Sequence, residues 1–110
     1  MNTVVFSIAK DFSPHPGPRY AKQGANSGES LRQHLMKILR DHPTKLLIDL
    51  DGTKGIGSSF LDEAFGGLVR SEHMSKNDLL NCFEFRSTLD PSYIVEIIDS
   101  INRAEPAATH

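Results

Sequence analysis

The chain has 110 residues, of which 12 are Lys or Arg and 14 are Asp or Glu, so its formal net charge is -2. That length fits one domain with a real core, and so small a charge gives no electrostatic reason to expect nucleic acid or a membrane surface as partner. The single cysteine, Cys82, rules out an internal disulfide framework and a thiolate metal site, and it favours a cytoplasmic location. No stretch approaches the roughly 20 apolar residues of a membrane helix, and the N-terminal segment lacks the pattern of a signal peptide.

A strand and a turn-rich segment are predicted at the beginning of the chain. Residues 3–9 alternate between apolar and polar side chains, which predicts a strand with one buried side. The prolines and glycines between residues 13 and 30 forbid a regular helix there, although residues 19–22 fit a short second strand.

The first helix is predicted to begin near Asn26 or Ser27. Asn26 with Glu29 three residues later has the spacing of a capping box, and Ser27 can take the place of Asn26. Apolar residues then recur at helical spacing and form the predicted core stripe. Pro43 ends the helix, because proline cannot continue a helix and disfavours one just before it.

Residues 45–70 predict a buried strand, a glycine-rich turn and an amphipathic helix. Residues 46–50 are almost continuously apolar, as in a parallel strand covered on both faces, and Asp51 marks the end of the strand. Beyond the turn, apolar residues recur at helical spacing. Ser58 and Ser59 are therefore predicted at a helix start beside the carboxyl end of a strand, where ligands and partners usually bind in α/β sheets.

The last third predicts a polar connection, a strand and a helix. Residues 71–78 are polar, and residues 80–86 read as the next strand. Asp90 followed by Pro91 predicts the start of a helix whose isoleucines recur at core spacing.

The predicted order of elements is strand, short strand, helix, strand, helix, strand, helix. Because strands joined by helices run parallel through right-handed crossovers, this order predicts an α/β fold with a mixed four-stranded sheet flanked by about three helices. One domain is expected over residues 1–103, followed by a frayed tail at residues 104–110.

A competing hypothesis comes from the Asp-x-Asp-Gly-Thr sequence at the end of the central strand. This motif resembles the first motif of haloacid-dehalogenase-type phosphatases, in which Asp49 would be the nucleophile, Asp51 the acid/base, and both would help to hold Mg²⁺. The later lysine and paired aspartates of those enzymes have no recognisable counterpart here. The favoured interpretation is that both aspartates end a strand and bond the turn, so we expect no enzyme activity, no cofactor and no metal.

Two compatible roles are open for the serine pair. One of the two, most naturally Ser59 with Asp62 three residues later, fits a helix cap. An exposed hydroxyl at this place can also accept a phosphate, whose charge would change any partner surface packed against it.

A second candidate is a corner for small anions in the turn-rich segment. Arg19, in a turn bounded by proline and glycine, can join Ser27 and Gly28 at a helix start to hold an anion. The alternative is a surface loop closed by an ion pair, such as Arg19 with Glu29.

The order of elements and the run LLIDLDGTKGIGSSFLDEAFGGLV resemble a STAS domain, the fold of anti-sigma-factor antagonists. More closely, the segments PGPRY, GANSGESL and GSSFLDEAFGGLVR resemble the STAS-like domains of unknown function found in bacteria. In STAS antagonists the second serine of the pair, which is Ser59 here, is phosphorylated by a partner kinase of the histidine-kinase ATPase fold. The resemblance implies a cytoplasmic protein-interaction module of signalling and transcription regulation, with such an ATPase as partner and Ser59 or Ser58 as phospho-acceptor.

Two positions depart from the STAS pattern, because Gly57 stands where the antagonists have an acid and Phe60 stands where they have a glycine. Partner binding without phosphorylation is therefore an alternative. Phe60 is either an apolar anchor for the partner or part of the core, and the core is favoured because large aromatic residues are usually buried. The expected partner-binding residues are Asp51, Gly52, Gly57, Ser58, Ser59, Phe60, Asp62 and Glu63.

Overall fold

The computed structural model describes residues 3–41 and 45–106, so the predicted helix end at Pro43 and the last part of the tail lie outside the described residues. Three strands form one parallel sheet in the order β1-β2-β3: β1 (Thr3–Ser7), β2 (Lys45–Asp49) and β3 (Phe83–Arg86). Five α-helical segments accompany it: α1 (Gly28–Asp41), α2 (Ser58–Leu61), α3 (Gly67–Arg70), α4 (Lys76–Cys82) and α5 (Ser92–Arg103). A π-helical turn at Asp62–Gly66 joins α2 to α3, and we call the three segments together the central helix.

The α/β class and the parallel direction of the strands joined by helices agree with the sequence prediction, but the described sheet has three strands, all parallel, instead of the predicted mixed sheet of four. Residues 19–22 pair with none of the described strands, and Ala21–Gln23 form a 3₁₀ turn. The backbone carbonyls of this segment serve another purpose. Pro18 O accepts from the Gly28 amide at 2.9 Å and Arg19 O from the Glu29 amide at 3.0 Å, so the segment completes the start of α1.

The strand predicted at residues 80–86 begins only at Phe83, because α4 occupies Lys76–Cys82. Ser75 Oγ accepts a hydrogen bond from the Asp78 amide at 3.0 Å and caps this helix. The Ser-x-x-Asp pattern is a helix-start signal within a stretch predicted to be a connection.

The first strand is also shorter than predicted, ending at Ser7 before a π-helical turn at Ile8–Phe12. The Lys10 amide donates to Ser7 Oγ at 3.2 Å, and the Ser7 amide donates to Asp11 Oδ2 at 2.8 Å. Polar side chains thus take over the backbone hydrogen bonding where the strand stops.

Burial shows that only one face of the sheet is covered. In β2, Leu46 and Ile48 lie on the covered face and are buried, whereas Lys45, Leu47 and Asp49 on the opposite face are only half-buried. The open face carries two ion pairs, Lys45 with Glu84 and Asp49 with Arg86. The prediction of a strand covered on both faces is therefore wrong. In the order β1-β2-β3, two right-handed crossovers place their helices on the same side.

The central helix supplies the middle of the core. Phe60, Leu61 and Phe65 are each fully buried. The Phe65 ring meets Phe85 of β3 edge-on with centroids 5.3 Å apart, and the Phe60 ring meets Phe12 at 6.2 Å. The packing of Phe60, the residue directly after the serine pair, therefore holds the start of the central helix in place.

Two glycines allow α1 to lie directly against the central helix. A Cβ atom on Gly28 would lie 2.4 Å from the carbonyl oxygen of Phe60, and one on Gly67 would lie 2.4 Å from Nη1 of Arg32. Neither position has room for a side chain without a shift of its neighbours. Within residues 3–41 and 45–106, no helix combines the length and the apolar character that crossing a bilayer requires.

Candidate functional site

The serine pair forms the first turn of the central helix, beyond the loop that follows β2. Both Ser58 and Ser59 are exposed, and Ser58 Oγ donates a hydrogen bond to Glu96 Oε1 of α5 at 2.9 Å. The next residue, Phe60, is fully buried, which agrees with the core interpretation of its ring. Two hydroxyl groups are therefore presented to solvent from a segment that is anchored immediately behind them.

Neither serine caps the helix. The N-cap residue is Gly57, which has no side chain to offer, and Ser59 is the second helical residue. The predicted capping role of Ser59 with Asp62 is wrong, because the N-cap is Gly57 and the helix therefore begins two residues earlier than that pattern requires. At α1 the cap is Ser27 instead of Asn26, since the Ser30 amide donates to Ser27 Oγ at 3.0 Å.

We expect Ser59→Ala to change the free energy of unfolding by no more than about 0.5 kcal/mol, because an exposed, non-capping hydroxyl carries little stability. Ser27→Ala is the matched comparison and should cost about 1 kcal/mol, because it removes a real cap. Urea unfolding of the two variants beside the wild type measures both values. A larger loss for Ser59→Ala than for Ser27→Ala would contradict the capping geometry.

The loop between β2 and the serines is held at several points. The Asp51 carboxylate accepts from the Leu89 amide at 3.0 Å and from Thr88 Oγ1 at 2.6 Å, and these hydrogen bonds lower the pKa of Asp51. The Ile56 amide donates to Tyr93 Oη at 3.2 Å. Gly52 has a φ of 93°, a conformation that favours glycine. The loop is thus tied to the segment before α5 and to α5 itself.

The two aspartates of the phosphatase-like motif have structural partners. Asp49 Oδ1 accepts from the Asp51 amide at 3.0 Å, and Asp49 Oδ2 binds Arg86 Nη2 at 2.9 Å. These are the contacts of residues that end a strand and bond a turn, as the favoured interpretation has it. In the part of the chain that the structure describes, no three His, Cys, Asp or Glu side chains come together as a metal site would require.

A groove of about 290 Å³ runs beside the serine pair, between the central helix and α5. Its lining residues are Arg19, Ser58, Ser59, Asp62, Glu96, Asp99, Ser100 and Arg103. The sequence predicted functional roles for the first four of these residues, but it did not predict the wall formed by α5. Glu96, Asp99 and Arg103 follow each other at spacings of three and four residues, and this helical spacing was the available signal that they share a face. We call this feature the serine groove.

Arg19 connects the turn-rich segment to the central helix. Its Nη1 lies 2.8 Å from Asp62 Oδ2 and 3.3 Å from Glu63 Oε1. The predicted pairing with Glu29 is wrong, because Glu29 Oε1 accepts from the Ala21 amide at 2.8 Å. Hydrogen bonding to Asp62 raises the pKa of Arg19, although partial burial opposes it.

The two carboxylates that hold Arg19 each have a second arginine. Asp62 Oδ2 is 3.0 Å from Arg70 Nη2, and Glu63 forms a buried pair with Nη1 of Arg32. Partial burial raises the pKa of Asp62, but the hydrogen bonds from Arg19 and Arg70 together outweigh it, so the pKa lies below its ordinary value of 3.8. A network of alternating charges thus forms around the π-helical turn.

The predicted anion corner is closed in this structure. The Arg19 guanidinium is bound to carboxylates, Ser27 Oγ accepts from the Ser30 amide, and the Gly28 amide donates to Pro18 O. Ser27 and Gly28 are also buried. The groups expected to hold an anion therefore have other partners.

The ionised Asp62 is expected to make stability depend on pH. Because its pKa is lower in the folded protein than in the unfolded chain, the contribution is present above about pH 4 and is lost as the pH falls through the lowered value. Asp62→Asn should therefore be less stable than the wild type near neutral pH, and the difference should shrink on acidification. Thermal unfolding from about pH 6 to about pH 2 measures this difference. A difference that stays constant over that range would contradict the assignment.

Not all of the predicted partner-binding residues are accessible. Phe60 and Glu63 are buried. The accessible members, which we call the serine surface, are Asp51, Gly52, Gly57, Ser58, Ser59 and Asp62.

The sequence of this chain matches the model of one known protein family. The model of the STAS-like domain of unknown function (DUF4325) matches residues 27–93, which is more than half of the chain and includes α1, β2 and the whole serine pair region. Searches of curated proteins and of solved structures give no match. The match covers the first helix, the central strand, the serine pair and the loop that binds Asp51, and on this basis the chain belongs to the family of STAS-like domains of unknown function.

Proposed function

We propose that this chain is a regulatory protein-interaction module of bacterial signalling that acts in the cytoplasm. The serine surface binds a protein partner, an ATPase of the histidine-kinase fold, and Ser59 accepts a phosphate from that partner. The output is the regulation of transcription, as for the anti-sigma-factor antagonists that the sequence resembles. The chain is a substrate and a binding partner in this reaction, and it is not an enzyme.

The observation that carries the proposal is the exposure of both hydroxyl groups on a rigid support. Ser58 and Ser59 are exposed, while Phe60 and Leu61 directly after them are fully buried. The preceding loop is tied to α5 through Tyr93. Loops and helix starts that a rigid scaffold holds in this way are common binding surfaces.

The proposed modification is a phosphoryl transfer with ATP as the donor. A bond forms between Ser59 Oγ and the γ-phosphorus, the bond from that phosphorus to the ADP oxygen breaks, and the hydroxyl proton is released to solvent. Because the partner supplies the nucleotide and its Mg²⁺, this chain contributes the hydroxyl and the surface around it.

The test is incubation with an ATPase of the histidine-kinase fold from the same genome, with MgATP, followed by intact-mass measurement. We expect the mass of one added phosphate on the wild type and on Ser71→Ala, which removes an exposed serine at the far end of the central helix. Ser59→Ala should remain unmodified. No added phosphate together with no complex would overturn the proposal.

Docking can be tested separately from phosphorylation at Gly57. This residue is exposed, has a φ of -79° that any residue adopts, and a Cβ atom there would meet nothing within 4 Å. Gly57→Arg should therefore leave the fold intact and weaken partner binding at least about tenfold, through a bulky charge in the interface. Val95→Arg on the exposed side of α5 is the control. Equal affinity of the Gly57→Arg variant and the wild type would place the partner elsewhere.

A further inference from the structure

The serine groove surrounds its two hydroxyl groups with different charges. Ser58 Oγ lies 2.9 Å from a carboxylate oxygen of Glu96, so a phosphate on Ser58 would bring two negative groups together. Ser59 instead lines the groove together with Asp62, three residues further along the central helix. Arg19 binds Asp62 and Glu63, and it lines the groove together with Ser59.

Each carboxylate that binds Arg19 also binds a second arginine. If it moves, Asp62 keeps Arg70 at 3.0 Å and Glu63 keeps the buried Arg32. The Arg19 side chain is 31% exposed, while its backbone oxygen stays bound to the Glu29 amide at the start of α1. The guanidinium is therefore a partly exposed cation whose carboxylate partners are shared, and its backbone is bound to the start of α1.

A second exposed guanidinium stands on the α5 wall of the groove. Arg103 lies 3.0 Å from Asp99 and is 67% exposed, so its pairing with Asp99 is a weak surface ion pair. The charged groups that line the groove are Arg19 and Arg103 on the positive side, and Asp62, Glu96 and Asp99 on the negative side.

We propose that the serine groove is a binding site for a phosphate carried on Ser59, in which Arg19 transfers from Asp62 and Glu63 to the phosphate and Arg103 assists from α5. A phosphate dianion with three acceptor oxygens competes well for a guanidinium that shares its carboxylates with other arginines. Phosphorylation then exchanges an internal ion pair for an arginine–phosphate pair, and it uncovers the Asp62 carboxylate on the serine surface. This inference rests on the proposed phosphorylation but concerns what the chain itself does with the phosphate.

The test is the second ionisation of a phosphoserine placed at position 59 during translation, so that no kinase is needed. Titration of the ³¹P chemical shift gives this pKa, whose ordinary value is about 6. In the wild-type background a neighbouring guanidinium should lower it, and Arg19→Gln should raise it again by about half a unit or more. Arg40→Gln, at an exposed position near the end of α1, is the matched control and should have no effect.

Two further proteins make the result decisive. Phosphoserine at position 58 should show a higher pKa than at position 59, because Glu96 opposes its second charge, and Arg19→Gln should change it less. Arg19→Lys serves as the test variant if Arg19→Gln does not fold, because lysine keeps the charge that ties the loop to the central helix. Phosphoserine at position 59 of Arg19→Lys should have a pKa between those of the wild-type background and Arg19→Gln.

An unchanged pKa at position 59 in both Arg19 variants would overturn the proposed transfer. Because phosphoserine is incorporated during translation, the titration does not depend on a kinase. An unchanged pKa would therefore leave the proposed partner binding standing, and a failed kinase experiment would not change the result of the titration.

Discussion

Phe60→Ala is expected to lower the free energy of unfolding by about 3–5 kcal/mol, a cost typical of removing a large aromatic ring from a core. The Phe60 side chain is fully buried, packs against Phe12 and lies under the exposed serine pair. The backbone oxygen of Phe60 already lies so close to Gly28 of α1 that a Cβ atom on Gly28 would not fit. Since α1 is in contact with the backbone there, it has little room to move inward and fill the cavity that Phe60→Ala leaves. Urea or guanidinium unfolding measures the loss.

Two variants calibrate this prediction. Phe60→Leu should cost clearly less than Phe60→Ala, because it removes less buried volume. Val95→Ala, at a position that is 69% exposed, should change stability by no more than about 0.5 kcal/mol. A small loss of stability for Phe60→Ala together with weaker partner binding would favour the alternative, in which the ring is an anchor for the partner.

Glu63→Ala should cost about 3–5 kcal/mol, which is the usual result of removing one member of a buried ion pair. The Arg32 side chain is only 7% exposed and would keep a single carboxylate, Glu72 at 3.1 Å. Arg19 would also lose one of its two acceptors. The measurement is the midpoint and slope of chemical unfolding at neutral pH.

The double variant Arg32→Met with Glu63→Leu separates the ion pair from the packing. It should recover much of the loss, because apolar side chains of similar volume often replace a buried pair without cost. Arg86→Ala breaks the exposed pair with Asp49 and should cost much less than Glu63→Ala, because solvent screens an exposed ion pair. If Glu63→Ala proves as mild as Arg86→Ala, the buried pair contributes no more than a surface pair does.

Local patterns predicted the parts of the fold that local interactions determine. The helix of residues 92–103, the central strand and the helix start at the serine pair all have patterns within a few residues of themselves. The segment before Phe83 was assigned wrongly, because a short apolar run fits the end of a helix as well as a strand. The capping pattern at Ser75 was the signal that decides between them.

Contacts between distant segments could not be predicted in the same way. Arg19 binds Asp62 and Glu63, which are 43 and 44 residues further along the chain, and nothing near Arg19 indicates those partners. Ser58 likewise meets Glu96 across 38 residues. The pattern of residues 45–70 placed the serine pair correctly at a helix start, but the charges of the groove beside it depend on how two distant helices pack.

The uncovered side of the sheet was missed for a topological reason. The apolar run at Leu46, Leu47 and Ile48 is common to strands with one or two covered faces, and only the strand order distinguishes them. Leu47 is half-buried between the ion pairs of the open face.

The π-helical turn at Asp62–Gly66 controls the direction in which the serine pair points. Each residue of a regular α-helix advances the chain by about 100° around its axis, and a π turn accommodates an extra residue while the rest of the helix keeps its phase. A chain shortened by one residue within this turn would rotate Ser58 and Ser59 by about 100° relative to α3 and carry the hydroxyl groups off the wall of α5. The extra residue in this turn thus sets the angle at which the two serine hydroxyl groups face the wall formed by α5.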